Sequence, residues 1–154
     1  MPLSVRRLGP GDEHILSLLA TEDADFDLAD RGAPLDPLDA EAAARYLANP
    51  VVLHWVAMEG DGVVGTLYCI HLPLRSGAGS EVLLYEIGVR TAWRRRGIGR
   101  ALMGAMAEWM DRNGVTEAWV LADNPEAVAF YRACGFATAD DEMAVYMTRT
   151  VGAG

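Results

Sequence analysis

An almost wholly apolar run, Glu81–Val89, is followed closely by Arg94-Arg95-Arg96-Gly97-Ile98-Gly99 and then by apolar residues at helical spacing. This succession of strand, glycine loop and helix constrains the chain more than any other feature. Glycines let the backbone approach a ligand closely. The N–H groups of a first helical turn lack intrahelical partners and converge on one spot, where the helix dipole favours an anion. Flanking arginines add bidentate contacts to phosphate. The ligand that suits this loop is a diphosphate; a plain glycine turn beside a surface arginine cluster is the simpler alternative. A dinucleotide-binding loop would want a small residue at its third glycine position, where this chain has Leu102. The chain has no lysine, which excludes a Walker A loop.

The predicted elements place this loop late in the chain. Ser4–Arg7 reads as a short first strand. Asp12 can cap a helix carrying Ile15, Leu18, Leu19, Glu22 and Phe26, broken by Arg31-Gly32-Ala33-Pro34. Asp39 can cap a second helix, Ala40–Ala48, ended by Asn49-Pro50. Val51–Met58 and Val63–Leu72 read as strands of a hairpin turning at Glu59-Gly60-Asp61-Gly62. Pro73–Ser80 is a loop, and Glu81–Val89 is expected as a strand buried on both faces. Ile98, Leu102, Ala105, Met106 and Trp109 form the core stripe of a long helix ending at Asn113-Gly114. Thr116–Ala122 is the next strand. Asn124 caps a helix with Pro125 at its first position, stopping at Gly135, and Met143–Arg149 is a last strand. The order is β-α-α-β-β-β-α-β-α-β, a mixed α/β single domain over residues 1–154.

Composition narrows the class of partner. The 154 residues carry 22 acids against 13 arginines, a net charge of -9. No basic face is available for phosphate neutralisation along a nucleic acid, so none is expected as a partner. Residues 12–41 hold ten acids and one arginine, which is the whole imbalance, whereas residues 90–100 hold five arginines and no acid. One stretch suits a cation and the other an anion. No apolar run approaches the ~18–20 residues that cross a bilayer, and the N-terminal residues do not read as a signal peptide. Cys69 and Cys134 are expected as free thiols in a reducing cytoplasm. His14, His54 and His71 lack metal-ligand spacing, so no metal is expected.

Two further features bear on chemistry. Glu86 lies inside the apolar strand just before the loop, where a carboxylate is costly unless partnered or functional. Burial would make it a better base; the plainer reading is a solvent-facing residue. In Asp123-Asn124-Pro125-Glu126-Ala127-Val128-Ala129-Phe130-Tyr131, the Tyr131 hydroxyl could donate a proton, or the ring could simply fill the core. Cys134 reads as a packed apolar residue rather than a nucleophile.

In this order and spacing, Leu84-Tyr85-Glu86-Ile87-Gly88-Val89, the Arg-x-x-Gly-x-Gly loop and Asn-x-x-Ala-x-x-Phe-Tyr-x-x-x-Gly-Phe resemble the GNAT superfamily of N-acetyltransferases. The resemblance is strongest over residues 51–136. It implies a mixed sheet with helices on both faces and acetyl-CoA as donor. The pyrophosphate would rest on Arg94, Arg95, Arg96, Gly97, Ile98, Gly99, Arg100 and Ala101. The pantetheine arm would pair with the backbone around Ile87, Gly88 and Val89. Asn124 would contact the arm, and Tyr131 would lie near the sulfur. A homodimer is also implied.

Tyr85-Glu86 in the strand and Ala122-Asp123 before the last motif look like the aminoglycoside 3-N-acetyltransferases of this type, although their strand carboxylate is typically Asp. The expected reaction is therefore direct acetyl transfer to an aminoglycoside amine, the 3-amino group, in a ternary complex. The alternative acceptor is a polyamine, an amino acid or a protein amine. An amine attacks only as the free base, so Glu86 is expected to take its proton, directly or through water, and Tyr131 to serve the departing thiolate. Asp25, Asp123, Asp141 and Glu142 join Glu86 as expected contacts to a cationic acceptor.

Overall fold

The hairpin at Glu59-Gly60-Asp61-Gly62 forms as expected, with Gly60 at φ 59°, and it lies at the centre of a five-stranded sheet. The computed structural model describes residues 2–26, 35–77, 79–138 and 145–152. The chain divides into two compact units, Met1–Ala122 and Asp123–Gly154, each described by itself.

The first unit holds β1 (Leu3–Arg7), α1 (Glu13–Thr21), α2 (Asp23–Phe26), α3 (Ala40–Ala48), β2 (Val52–Glu59), β3 (Gly62–Pro73), β4 (Ser80–Val89), α4 (Ile98–Arg112) and β5 (Ala118–Val120). The strands lie in sequence order; β1 to β4 pair antiparallel and β4 pairs with β5 in parallel. The mixed α/β class and the helices on both faces are as expected.

One face of the sheet is covered by α4. Its buried stripe is Ile98, Leu102, Met103, Met106 and Trp109, so Met103 takes the place expected for Ala105. The helix follows β3. A side chain on Gly65 would put its Cβ 2.7 Å from Ile98 Cγ2 and 3.1 Å from Leu102 Cδ1. Further along, Cys69 Sγ meets Met106 Sδ at 3.7 Å, and the His71 ring meets Trp109 edge-on at 5.0 Å. Gly65 thus lets the start of α4 sit directly on the sheet. The opposite face carries Val56 and Val63, clustered with Ile15 and Leu19 of α1, Phe26 of α2 and Leu47 of α3.

Several expectations change. The first helix is interrupted at Glu22, so α1 and α2 are separate. Asp12 does not cap α1 with its side chain, because its carboxylate turns back to accept from Gly9 N at 2.8 Å and from the Arg6 guanidinium at 2.9 and 3.0 Å. Asp39 does cap α3, accepting from Ala42 N at 2.8 Å. The break expected at residues 31–34 lies outside the described residues. β4 is not buried on both faces: Val82 and Leu84 are buried, while Tyr85 is 60% exposed. β5 is three residues long rather than Thr116–Ala122. Its ladder covers only Val82 to Leu84, and β4 bulges immediately afterwards.

In the second unit, α5 (Pro125–Ala133) is capped by Asn124, whose Oδ1 accepts from Ala127 N at 2.8 Å. Gly135, at φ 97°, follows its end. The expected last strand does not form: residues 145–149 pair with no strand among the described residues, and Val145, Tyr146 and Met147 are exposed. Alternating side chains specify a strand only where an edge accepts them. Met143 and Ala144 lie outside the described residues.

Candidate active site

The site begins with a bulge. Leu84 pairs with Cys69, yet Glu86 pairs with Tyr68, so Tyr85 is an extra residue in β4. Side chains alternate along a strand, and an inserted residue resets which face follows. Without it, Glu86 would share the apolar α4 face with Val82 and Leu84. With it, Glu86 stands half-buried on the opposite face, and Ile87 takes the α4 side opposite Leu67.

On that opposite face His54, Tyr68 and Glu86 stand in register across β2, β3 and β4. The His54 and Tyr68 rings stack at 5.5 Å, Tyr46 of α3 lies 5.6 Å from Tyr68, and Tyr85 lies edge-on to Tyr68 at 5.6 Å. Tyr46 Oη is 2.8 Å from His54 Nδ1, and His54 Nε2 is 2.7 Å from Thr66 Oγ1. His54 is buried and its pKa is pushed down to about 4 by desolvation. Burial raises the Tyr46 and Tyr68 hydroxyls, with the negative charge of Glu86 adding to both. Sequence reasoning missed this aromatic and imidazole row, because the cross-strand register that assembles it depends on two bulges.

The bulge also ends the parallel ladder, so the far edge of β4 beside Ile87, Gly88 and Val89 carries no strand among the described residues. A single 3-10 turn, Thr91–Trp93, then leads into the loop. Arg95 has φ 62° and Gly97 φ 79°, both left-handed. That is uncommon for arginine, and such turns make successive N–H groups converge into a concave anion nest. Ala101 N donates to Gly97 O at 3.0 Å, so the helix ladder starts there and the amides of Ile98 and Gly99 precede it. Arg94, Arg95, Arg96 and Arg100 are exposed around this end. Arg94 Nε donates to Val89 O at 3.4 Å, and the Arg96 guanidinium lies 4.7 Å over the Trp93 ring. Backbone and charge both fit a diphosphate.

Arg90 has a different task. It donates to Val63 O at 2.6 Å, pairs with Glu22 and Asp25 at 3.2 and 2.9 Å, and lies over the Phe26 ring at 4.6 Å. The hydrogen bond from Arg90 holds the Asp25 carboxyl below the usual carboxylate range. The acidic stretch is thus largely committed to structure. Asp12 binds Arg6, Glu22 and Asp25 bind Arg90, Asp39 caps α3, Glu41 pairs with Arg45, and Asp23 is buried. Asp141 and Glu142 lie outside the described residues.

In the second unit Asn124 Nδ2 donates to Asp123 Oδ1 at 3.1 Å. Tyr131 is buried, with Phe130 edge-on at 5.5 Å and Phe136 tilted at 5.6 Å. Cys69, in the first unit, is a buried thiol that burial pushes up to about 12, while Cys134 is a half-buried thiol.

Comparison with known proteins gives a consistent direction. A model of the acetyltransferase (GNAT) family matches residues 18–136. The chain is 36% identical over 101 residues to the N-alpha-acetyltransferase RimI of Mycobacterium tuberculosis, covering 66% of this chain and 62% of that protein. It spans about a third to three-fifths of the length of the first curated relatives it matches. An aminoglycoside acetyltransferase from an uncultured soil metagenomic sample superposes with a TM-score of 0.79 at 26% identity, covering 96% of this chain and all of that one. Another from such a sample, solved with sisomicin, has a TM-score of 0.80 at 24% identity over 96% of this chain and 97% of that chain, a likeness of fold.

Proposed function

Because the chain belongs to the acetyltransferase (GNAT) family, we propose that it transfers acetyl from acetyl-CoA to an amine of a small polycationic acceptor, in the first place an aminoglycoside. The observation that carries this reading is the course of β4. A bulge presents Glu86 on one face, and the strand then runs through a backbone edge without a strand partner among the described residues into the left-handed turn and helix end of α4. The 26% likeness to an aminoglycoside acetyltransferase along its whole chain supports the acceptor class.

The donor supplies an activated thioester carbonyl when bound. The chain's part is to hold it and to manage protons. Main-chain groups of Ile87, Gly88 and Val89 hold the arm as an added strand. The turn and first helical residues from Arg94 to Ala101 hold the pyrophosphate. Glu86 takes the proton that the attacking amine must lose. By the family resemblance, Tyr131 would hydrogen-bond the departing sulfur and Asn124 would contact the arm. Asp123 offers a carboxylate to the acceptor's other ammonium groups, each such surface pair being worth ~0–1 kcal/mol. Asp25, held by Arg90, serves the fold before it serves an acceptor.

A second reading keeps the reaction and changes the acceptor to a protein N-terminal amine, which the RimI likeness favours. Thiol release from acetyl-CoA, followed with gentamicin, kanamycin, spermidine, a lysine peptide and an alanine-initiated peptide, separates the two. We expect kcat/KM to be highest on an aminoglycoside. Turnover on the alanine peptide alone would select the second reading, and silence on all five would refute both. We also propose a homodimer in the cytoplasm; a monomer mass in light scattering would refute the dimer.

A further inference from the structure

The reaction as read above uses Glu86 and leaves unexplained the polar side chains behind it. His54 and Thr66 are buried, and Tyr46 and Tyr68 are half-buried, on a face that is otherwise apolar toward α1 and α3. Polar groups in such a place weaken a core unless each is satisfied, and apolar residues would join β2 to β3 equally well. Their arrangement leads step by step to the carboxylate. Tyr68 lies in register between His54 and Glu86, and Tyr46 reaches down from α3 to both rings.

We propose that Tyr46 and His54 are positioning residues for Glu86, acting through Tyr68: Thr66, His54, Tyr46 and Tyr68 form a one-directional hydrogen-bond chain that fixes the orientation of the Glu86 carboxylate and favours its proton-accepting form. This rests on the acetyl-transfer reading above.

The direction follows from what each group can do. An ionised carboxylate only accepts, so the Tyr68 hydroxyl points its proton toward Glu86. The Tyr68 oxygen then accepts from Tyr46, with which it interacts. The Tyr46 oxygen accepts from His54 Nδ1–H at 2.8 Å. Nε2, left as an acceptor, receives the Thr66 hydroxyl at 2.7 Å. Thr66 heads the chain as a donor, and the ring, Tyr46 and Tyr68 each donate once and accept once, as a neutral imidazole must. Burial keeps the ring neutral, with its pKa down at about 4. Glu86 in turn raises both tyrosine hydroxyls, so carboxylate and phenols share one environment. Tyr46 from α3 and Tyr68 from β3 both feel the Glu86 charge; Tyr85, its neighbour in β4, packs edge-on against Tyr68, and His54 of β2 stacks on the Tyr68 ring.

Two readings without turnover test this. In the wild type, 15N shifts of His54 should report a neutral ring with its proton on Nδ1 at pH 7. A 13C titration of the Glu86 carboxyl should move up by about half a pH unit or more in Tyr68→Phe, and less, in the same direction, in Tyr46→Phe. With acetyl-CoA and the best acceptor, both variants should lose ~3–10-fold in kcat. The acid limb of the pH profile should rise with the carboxyl, and KM for acetyl-CoA should hold. A proton on Nε2, or a carboxyl titration unmoved in both variants, overturns the proposal whatever the activity. A moved carboxyl with Glu86→Gln fully active overturns the base role in acetyl transfer instead. Each Phe variant keeps its ring, and the wild-type tautomer needs no variant at all.

Discussion

On the side of the sheet covered by α4, Leu53, Trp55, Leu67, Cys69, Val82 and Leu84 are buried together, and Gly65 lets the helix close onto them. On the other side the same three strands carry His54, Tyr68 and Glu86 in register, and α3 adds Tyr46 to the row beside the apolar residues that α1, α2 and α3 bury there. The first side anchors the helix whose N-terminus suits the donor's phosphates. The second presents the carboxylate suited to an amine. What separates them is one extra residue, Tyr85, without which Glu86 would face α4. Position within a strand therefore matters less to this chemistry than the irregularity that precedes it.

Breaking the polar side at its centre should have the largest effect. Glu86→Gln is expected to lower kcat by ~10²–10⁴, the range for losing a positioned base, in a thiol-release assay with thermal stability unchanged. Acid should weaken the same side next. The unfolded chain takes up a proton near the ordinary imidazole value of 6.5, while folded His54 stays neutral down to about 4. In that window the unfolded state binds more protons, so stability falls as pH falls, by ~3 kcal/mol at most. Denaturant titrations at pH 7 and pH 5 would read it. Cys69 on the α4 side, pushed up to about 12, stays neutral throughout.

The α4 side should answer to volume instead. Gly65→Ala sets a Cβ 2.7 Å from a branched Ile98 methyl and should cost ~1–3 kcal/mol by overpacking, measured in the same titration at pH 7. The smallest effect belongs to the rim of the polar side. Asp39→Ala removes the cap of the helix that carries Tyr46 and should cost ~1 kcal/mol, read as a fall in Tm.

The elements themselves were legible in the sequence. Caps at Asp39 and Asn124, the turn at Glu59–Gly62 and the stripe of α4 lie where local chemistry puts them. The glycine loop was legible too, since glycine and arginine spacing reports backbone need directly. The row behind Glu86 was not. The turn pairs Glu59 with Gly62 and Met58 with Val63, and regular counting from there sets His54 opposite Leu67. A bulge at Val64 moves it opposite Tyr68, and the second bulge, at Tyr85, brings Glu86 to the same row. Neither bulge leaves a signature in composition or periodicity. The partners of the acidic stretch were not legible either. Net charge counts carboxylates and says nothing of their partners, and Arg6, Arg45 and Arg90 take four of them. The expected final strand, Met143–Arg149, has no partner strand among the described residues, and a local sequence does not specify an edge to join.

On the proposed reading, grip on the donor and chemistry on the amine belong to opposite sides of one strand. Calorimetric titration of CoA into the wild type, Glu86→Gln and Gly97→Val tests it most directly. Gly97 is left-handed at φ 79°, where a β-branched residue strains the turn by ~1–2 kcal/mol or more. CoA should bind the wild type and Glu86→Gln alike and bind Gly97→Val roughly tenfold more weakly. Equal loss in Glu86→Gln and Gly97→Val, or no loss in Gly97→Val, would contradict the division.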